Sequence, residues 1–386
     1  MATKLLDTIV DSLDIPKSYY QKAVDRHRSL GEWLCRAESR VAAFQPNVSS
    51  QGSFRYGTVV RPLVAGGEYD LDNVTTLEIP KTAMTQKQLK HLYGDEVKDY
   101  AMSHGMLEPV EEKNRCWRLH YSDEATFHLD TLPCIAEERD VVQAITSRGV
   151  SAKLAGMAVA ITDKRHPQYD QITRNLLSSN PRGFATWFED RARPWAIAQM
   201  RRLVEQRLYA SVEAVPPYEW KTPLQRSIQL LKRHRDVMFR DNPGIGPISM
   251  IITNLASHAY AGEPDIFAAL TNIVERMPQY VKPGRPRVPN PANPAEDYAD
   301  KWTKDPALES NFWAWHTQAR SGIAKLPRIL SGNNFFSEVH RTFRVELTEE
   351  QLRQLDTGVT RPAPAIIRAA PVLSIPSAPR PWGHND

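Results

Sequence analysis

The sequence predicts an α+β chain in which a small mixed sheet lobe, backed by N-terminal helices, is followed by a helical lobe. Three observations support that class. Strand-like runs separated by turn residues crowd the stretch 47–135, whereas beyond Ile145 apolar residues fall at helical spacing. A chain of 386 residues is too long for one typical domain and short for three. Apolar residues at 41% and charged residues at 24% are ordinary for a globular protein, which argues against a disordered or membrane-embedded chain. The expected division is 1–150 for the sheet lobe with its N-terminal helices, 151–356 for the helical lobe and 357–386 for a Pro-rich tail.

Taken in order, Leu5, Leu6, Ile9, Val10 and Leu13 repeat at helical spacing, and Asp14-Ile15-Pro16 ends the pattern. A longer helix is expected over 16–43 as a spine behind the sheet, with proline at a tolerated first position. Strands are expected from Asn47, along the run carrying Asp70 and Asp72 to Ile79, at 115–121 and at 126–135, with a helix over 85–104. Asn180-Pro181-Arg182-Gly183 turns into a helix reaching Ala210, whose Phe184, Trp187 and Phe188 read as core. Thr222 caps a helix with an apolar face of Leu224, Ile228, Leu230 and Leu231; Lys232, Arg233 and Arg235 lie on its polar side. Another helix opens at Pro247-Ile248-Ser249, and helical patterning continues through 264–276. Five prolines in 281–294 read as an extended crossing, and Trp302, Phe312, Trp313 and Trp315 as a plug between lobes. Helices are expected over 311–344 and 348–355. Six prolines in 362–386 mark a tail without a core of its own, although Ile366, Ile367, Val372, Leu373, Ile375 and Trp382 offer it hydrophobic anchors.

No stretch approaches 18 uninterrupted apolar residues, and the N-terminus carries acids where a secretory signal has none, so a cytoplasmic protein without membrane contact is expected. Cys35, Cys116 and Cys134 are odd in number and lack a C-x-x-C pair, so they read as small buried apolar residues. A net charge of +4 is too mild to argue for long nucleic acid as a partner. Within 174–241, however, 13 Lys and Arg stand against 7 Asp and Glu, which suits either a triphosphate-attracting cleft or a solvated basic face.

The chemistry concentrates in QGSFRYGTVVRPLVAGGEYDLDNVTTLE, residues 51–78. Alternate strand residues share a face, so Asp70 and Asp72 project together, about 7 Å apart along the strand. Two carboxylates so placed can share hard divalent cations, and Mg²⁺ is commonly held by one or two carboxylates plus substrate phosphates. Gly52-Ser53 would offer those phosphates backbone N–H groups and a hydroxyl, since glycine lets the backbone approach closely. A second strand, FHLDTLP, presents Asp130 in an otherwise apolar run where an unpaired carboxylate is costly. Three acids on neighbouring strands suit a two-metal phosphoryl-transfer site. Glu68-Tyr69-Asp70 is also an E-x-D on the same face, so Glu68 competes with Asp72 for second ligand. His234-Arg235-Asp236 imitates the H-R-D of protein kinases, but the asparagine required five residues on is Asp241 and no Gly-rich loop precedes it, so a kinase is rejected.

The order of Gly-Ser, D-x-D and a later strand Asp resembles the polymerase-beta-like nucleotidyltransferases. GSFRYGTVVRPL, EYDLD, FHLDTLP, SNPRGFATWF, KTPLQRSIQLLKRHRD, PISMIITNLASHAY and NPANPAEDYADKW are together similar to the successive blocks of the bacterial CD-NTases, the cGAS/DncV-like enzymes of anti-phage (CBASS) signalling. That resemblance implies a polymerase-beta-like sheet lobe packed on a helical lobe, and synthesis of a cyclic di- or trinucleotide from ATP and/or GTP. It implies two Mg²⁺, with Mn²⁺ as an alternative, on Asp70, Asp72 and Asp130, and Asp130 activating the attacking hydroxyl. Gly52, Ser53, Lys232 and Ser249 would hold the donor triphosphate, while Met250 stands where animal relatives often place a base-stacking tyrosine. Implied partners are the NTPs, a regulatory protein capturing the C-terminal tail and a separate effector that receives the product. The rivals are a linear oligonucleotide or RNA-end nucleotidyltransferase and a non-catalytic nucleotide-binding protein.

Overall fold

Helical spacing at the N-terminus produces α1 (Ala2–Leu13), which buries Leu5, Leu6, Ile9, Val10 and Leu13 completely or nearly so. α2 (Lys17–Cys35) follows Pro16 and stops well before Ala43, because the chain extends at Arg36 and then makes a single 3-10 turn at Ala42–Phe44. The computed structural model describes residues 2–64, 66–121, 126–205, 221–329 and 335–346, together with 348 and 351.

β1 (Asn47–Gln51) leads through the short α3 (Gly52–Tyr56) to β2 (Tyr69–Leu77). Thr85 caps α4 (Gln86–Ser103) with a full capping box, its hydroxyl accepting from Gln88 N–H while the Gln88 side chain accepts from Thr85 N–H. Three strands then form, β3 (Glu111–Glu112), β4 (Trp117–Tyr121) and β5 (Phe127–Ala136). The sheet order is β1-β2-β5-β4-β3; β2 and β5 run parallel, and β1 with β2 and β4 with β5 run antiparallel. Odd-numbered residues Tyr69, Leu71, Phe127 and Leu129 face α2 and α4 in one apolar cluster, so even-numbered Asp70, Asp72, His128 and Asp130 are sent to the opposite face. α4 comes close to the sheet because residue 94 is glycine: a Cβ there would stand 2.1 Å from the Trp117 ring.

After α5 (Arg139–Ser147) and α6 (Ala152–Ala155), the sheet resumes with β6 (Val159–Ile161) and β7 (Leu177–Ser179), where purely helical structure was expected. Three-residue strands are too short to show alternation; they form because β5 leaves residues 134–136 unpaired by β4 and β6 takes that edge. α7 (Pro181–Glu205), α8 (Pro223–Met238), α9 (Ser249–Ala259) and α10 (Ile266–Arg276) follow. The 281–294 stretch is not a simple extended crossing, since β8 (Pro289–Asn290) and β9 (Asn293–Asp297) pair as a small hairpin. α11 (Pro306–Ile329) and α12 (Phe335–Phe343) close the described chain.

The largest apolar cluster gathers α1 with α8, α9, α10 and α11, so the first helix packs with the helical elements and not behind the sheet. Phe184 and Phe188 lie in it, as expected of core aromatics. Trp302, Phe312 and Trp315 are interior to the same cluster and do not plug a boundary. Burying each such side chain contributes roughly 1.5–3 kcal/mol. Asp14 ties α1 to α8 through Lys221 and Gln229, and Asp7 does so through Arg226 at 2.6 Å. The expected helix over 206–210, that over 348–355 and the tail lie outside the described residues, apart from isolated positions 348 and 351.

Candidate active site

The strand register assembles the acids. Asp72 of β2 stands directly beside Asp130 of β5, and Gln51 of β1 is its partner on the other side. The chain after Gln51 must then turn past Asp72 with almost no clearance. Gly52 does so at φ +70°, and a Cβ there would stand 2.0 Å from the Asp72 carboxylate Oδ2, so any other residue would strain the backbone and displace that carboxylate. Glu68 lies at the mouth, where its Oε2 is 2.9 Å from His128 Nδ1, and Asp70 pairs with the other nitrogen of the same imidazole.

A cleft of about 290 Å³ is lined by Gly52, Ser53, Asp70, Asp72, Lys232 and Ser249, six of the seven residues singled out from sequence. Asp130 is not on that lining but is one strand behind it, in register with Asp72. Lys232 reaches the cleft from α8, where its ammonium donates to Thr58 C=O at 2.9 Å. Burial, with the Arg235 cation second, pushes that ammonium down to about 8. Arg235 lies three residues on, on the same helix face, donating to Ser249 Oγ at 3.3 Å and to Asp236 at 2.7 Å. Met250 also lines the cleft.

Burial pushes the partly exposed Asp72 carboxyl up to about 7, and the neighbouring Asp70 and Asp130 charges push in the same direction. Such a group is one that a cation would restore to its ionised form. An all-carboxylate donor set suits a hard divalent ion. Among the described residues no trio of acid, His or Cys side chains is arranged to hold an ion as it stands: Asp70 is turned onto His128, and both Asp130 oxygens accept from Arg118, Nε at 2.6 Å and Nη2 at 2.8 Å. Burial, with the Asp130 charge acting on it, pushes the Cys116 thiol up to about 12. Cys35 and Cys134 are buried as expected, but Cys116 is a neighbour of the site and not inert filler.

Sequence reasoning missed Arg118, His128, Cys116, Thr58 and Asp236. His128 was visible in principle, since it shares the face of Asp130 two residues on. Arg118 was hidden because only the β4–β5 register makes it the cross-strand partner of Asp130.

Over residues 46–133 the chain matches the family described as the nucleotidyltransferase domain of cyclic GMP-AMP synthase, DncV-like. A c-di-GMP synthase of Roseivirga ehrenbergii is 27% identical, the match covering 80% of this chain and 76% of that protein. The cyclic dinucleotide synthase CdnG of Bradyrhizobium diazoefficiens is 24% identical over 96% of this chain and 89% of its own. The solved structure of CdnG in complex with GTP is similar in fold, with a TM-score of 0.67 at 20% identity, covering 92% of this chain and 99% of that one. A mixed sheet that carries a Gly-Ser turn beside strand carboxylates, packed against helices, is the architecture of a polymerase-beta-like nucleotidyltransferase, and this chain is one. Within that class, the matched domain and the named relatives are those of the DncV-like CD-NTases, which this chain resembles.

Proposed function

We propose that the chain joins two or three NTPs into a cyclic oligonucleotide, releasing one pyrophosphate per bond, and that GTP is among its substrates. The observation that carries the reading is the convergence of Gly52, Ser53, Asp70, Asp72, Lys232 and Ser249 on one cleft with Asp130 in register beside Asp72. The relatives named above as cyclic dinucleotide synthases, one of them solved with GTP, support the cyclic product and the guanine nucleotide.

In this reading Asp70, Asp72 and Asp130 would hold two Mg²⁺, and Asp130 would take the proton of the attacking ribose hydroxyl. Bound divalent ions would supply charge neutralisation for the triphosphate and its pyrophosphate leaving group. Ser53 Oγ and the N–H groups after Gly52 grip the donor phosphates. Lys232, held by Thr58, is driven toward its charged form when a triphosphate arrives, because the anion offsets the burial that disfavours the ammonium. Arg235 and Ser249 close the phosphate side. The product would act as a second messenger of anti-phage defence read by a separate effector.

Incubation with radiolabelled GTP, ATP or both in the presence of Mg²⁺, followed by phosphatase, tests the proposal. A phosphatase-resistant labelled product is expected. Products that lose their labelled ends would make the enzyme a linear nucleotidyltransferase, and the absence of any product would leave a nucleotide-binding protein.

A further inference from the structure

Arg118 has a place in the site that the reaction as proposed does not use. Its fork occupies both oxygens of Asp130, with Nε and Nη2 at 2.6 and 2.8 Å. Through the paired strands, Arg118, Asp130, Asp72 and Gln51 form one row across β4, β5, β2 and β1. Its charge also acts on the other two acids, opposing the upward push on Asp72 and feeling the attraction of Asp70. One guanidinium therefore offsets three clustered carboxylates. Arginine is suited to this, being permanently charged and shaped to meet a carboxylate with two parallel hydrogen bonds. The same two oxygens of Asp130 are those a divalent ion or a ribose hydroxyl would need.

We propose that Arg118 is a built-in counter-ion of the acid cluster, which holds Asp130 in place before metal arrives and competes with the inner divalent ion for the same oxygens. Loading the site then requires the fork to open, so Arg118 sets the divalent-ion concentration at which the site fills. The inference rests on the metal reading of Asp70, Asp72 and Asp130 and adds a residue to it. Arg118 is a positioning residue in this role.

The test is Mn²⁺ binding to the nucleotide-free full chain by calorimetry, with melting temperature in EDTA measured beside it. Arg118→Gln removes the competing charge but retains a polar side chain. It should bind Mn²⁺ roughly tenfold or more tighter than wild type, the usual effect of one charge-assisted pair, while melting at a lower temperature in EDTA because three carboxylates then face one another unrelieved. Arg118→Lys, a point charge without the fork, should fall between the two in Mn²⁺ affinity, and it supplies the comparison if the glutamine variant does not fold. Unchanged or weaker Mn²⁺ binding in the variants, with wild type binding normally, overturns the counter-ion role and leaves the metal reading standing. Failure of wild type to bind Mn²⁺, with Asp70→Asn/Asp72→Asn indistinguishable from it, overturns both.

Discussion

At the scale of single residues, the site is a concentration of charge that the fold must tolerate before it can use it. Asp72 shows this most directly: burial and its acidic neighbours push its carboxyl up to about 7. Replacing Asp70 and Asp72 together by Asn should abolish product formation while leaving the metal-free melting temperature equal to or above that of wild type, because like charges are removed from one another's field. Calorimetry in EDTA beside the radiolabel assay checks both halves, and wild-type turnover would remove these residues from the site. Lys232→Ala should raise the NTP concentration needed for half-maximal rate, a charge-assisted phosphate contact being worth about 1.5–3 kcal/mol. An unchanged NTP dependence would take Lys232 out of the donor site. The acids were legible in sequence because strand alternation puts Asp70 and Asp72 on one face of their strand and sets Asp130 opposite the apolar residues of its own. Of their partners, His128 was visible only as a neighbour of Asp130 on the same face, and Arg118 and Cys116 were not visible, since a partner is defined by register and rotamer.

At the scale of elements, α8 presents two faces to two tasks. Lys232, Arg235 and Asp236 line the cleft, while His234 is turned the other way, 9% exposed, with Nδ1 lacking a hydrogen-bond partner among the described residues. Burial holds its imidazole down to about 4, against about 6.5 in an unfolded chain. The sign follows from proton counting. Above pH 6.5 neither state binds the proton and the fold is at full strength; between 6.5 and 4 the unfolded chain takes up a proton that the folded one refuses, so stability falls as pH falls. Over that window the loss from this residue is on the order of 2–3 kcal/mol. His258 and His316 are lowered by burial too, so the measurement is a difference: urea unfolding at pH 7.5 and pH 5 should show a smaller acid loss in His234→Gln than in wild type. Equal losses would show that His234 does not stay neutral in the fold. The capping boxes at Thr85 and Thr222 show what an element tells of itself, because the cap and its glutamine lie three residues apart in sequence.

At the scale of the whole molecule, the first helix closes onto the helical elements. α1 is clasped to α8 by Asp7 and Asp14, which joins the beginning of the chain to the helical elements that carry Lys232. Among the described residues no helix is long and apolar enough to cross a membrane. For the Pro-rich segment, we propose a docking peptide for a regulatory protein, dispensable for chemistry; extended peptides with spaced apolar anchors commonly dock in grooves or on sheet edges. Truncation after Gly358 should leave synthesis by the purified enzyme unchanged and abolish capture of that partner. Lost synthesis would make the segment part of the folded enzyme, and undiminished capture would make it a linker.

The sequence by itself determined the α+β class, the helices with their caps, and the shared face of Asp70 and Asp72 on their strand, because each of those depends on residues a few positions apart. Only the tertiary structure decided that α1 joins the helical cluster, that 159–161 and 177–179 extend the sheet, and that Arg118 holds Asp130. Those depend on which edge is left open, which apolar face is left uncovered and which register two strands adopt, and such choices are made between segments far apart in the chain.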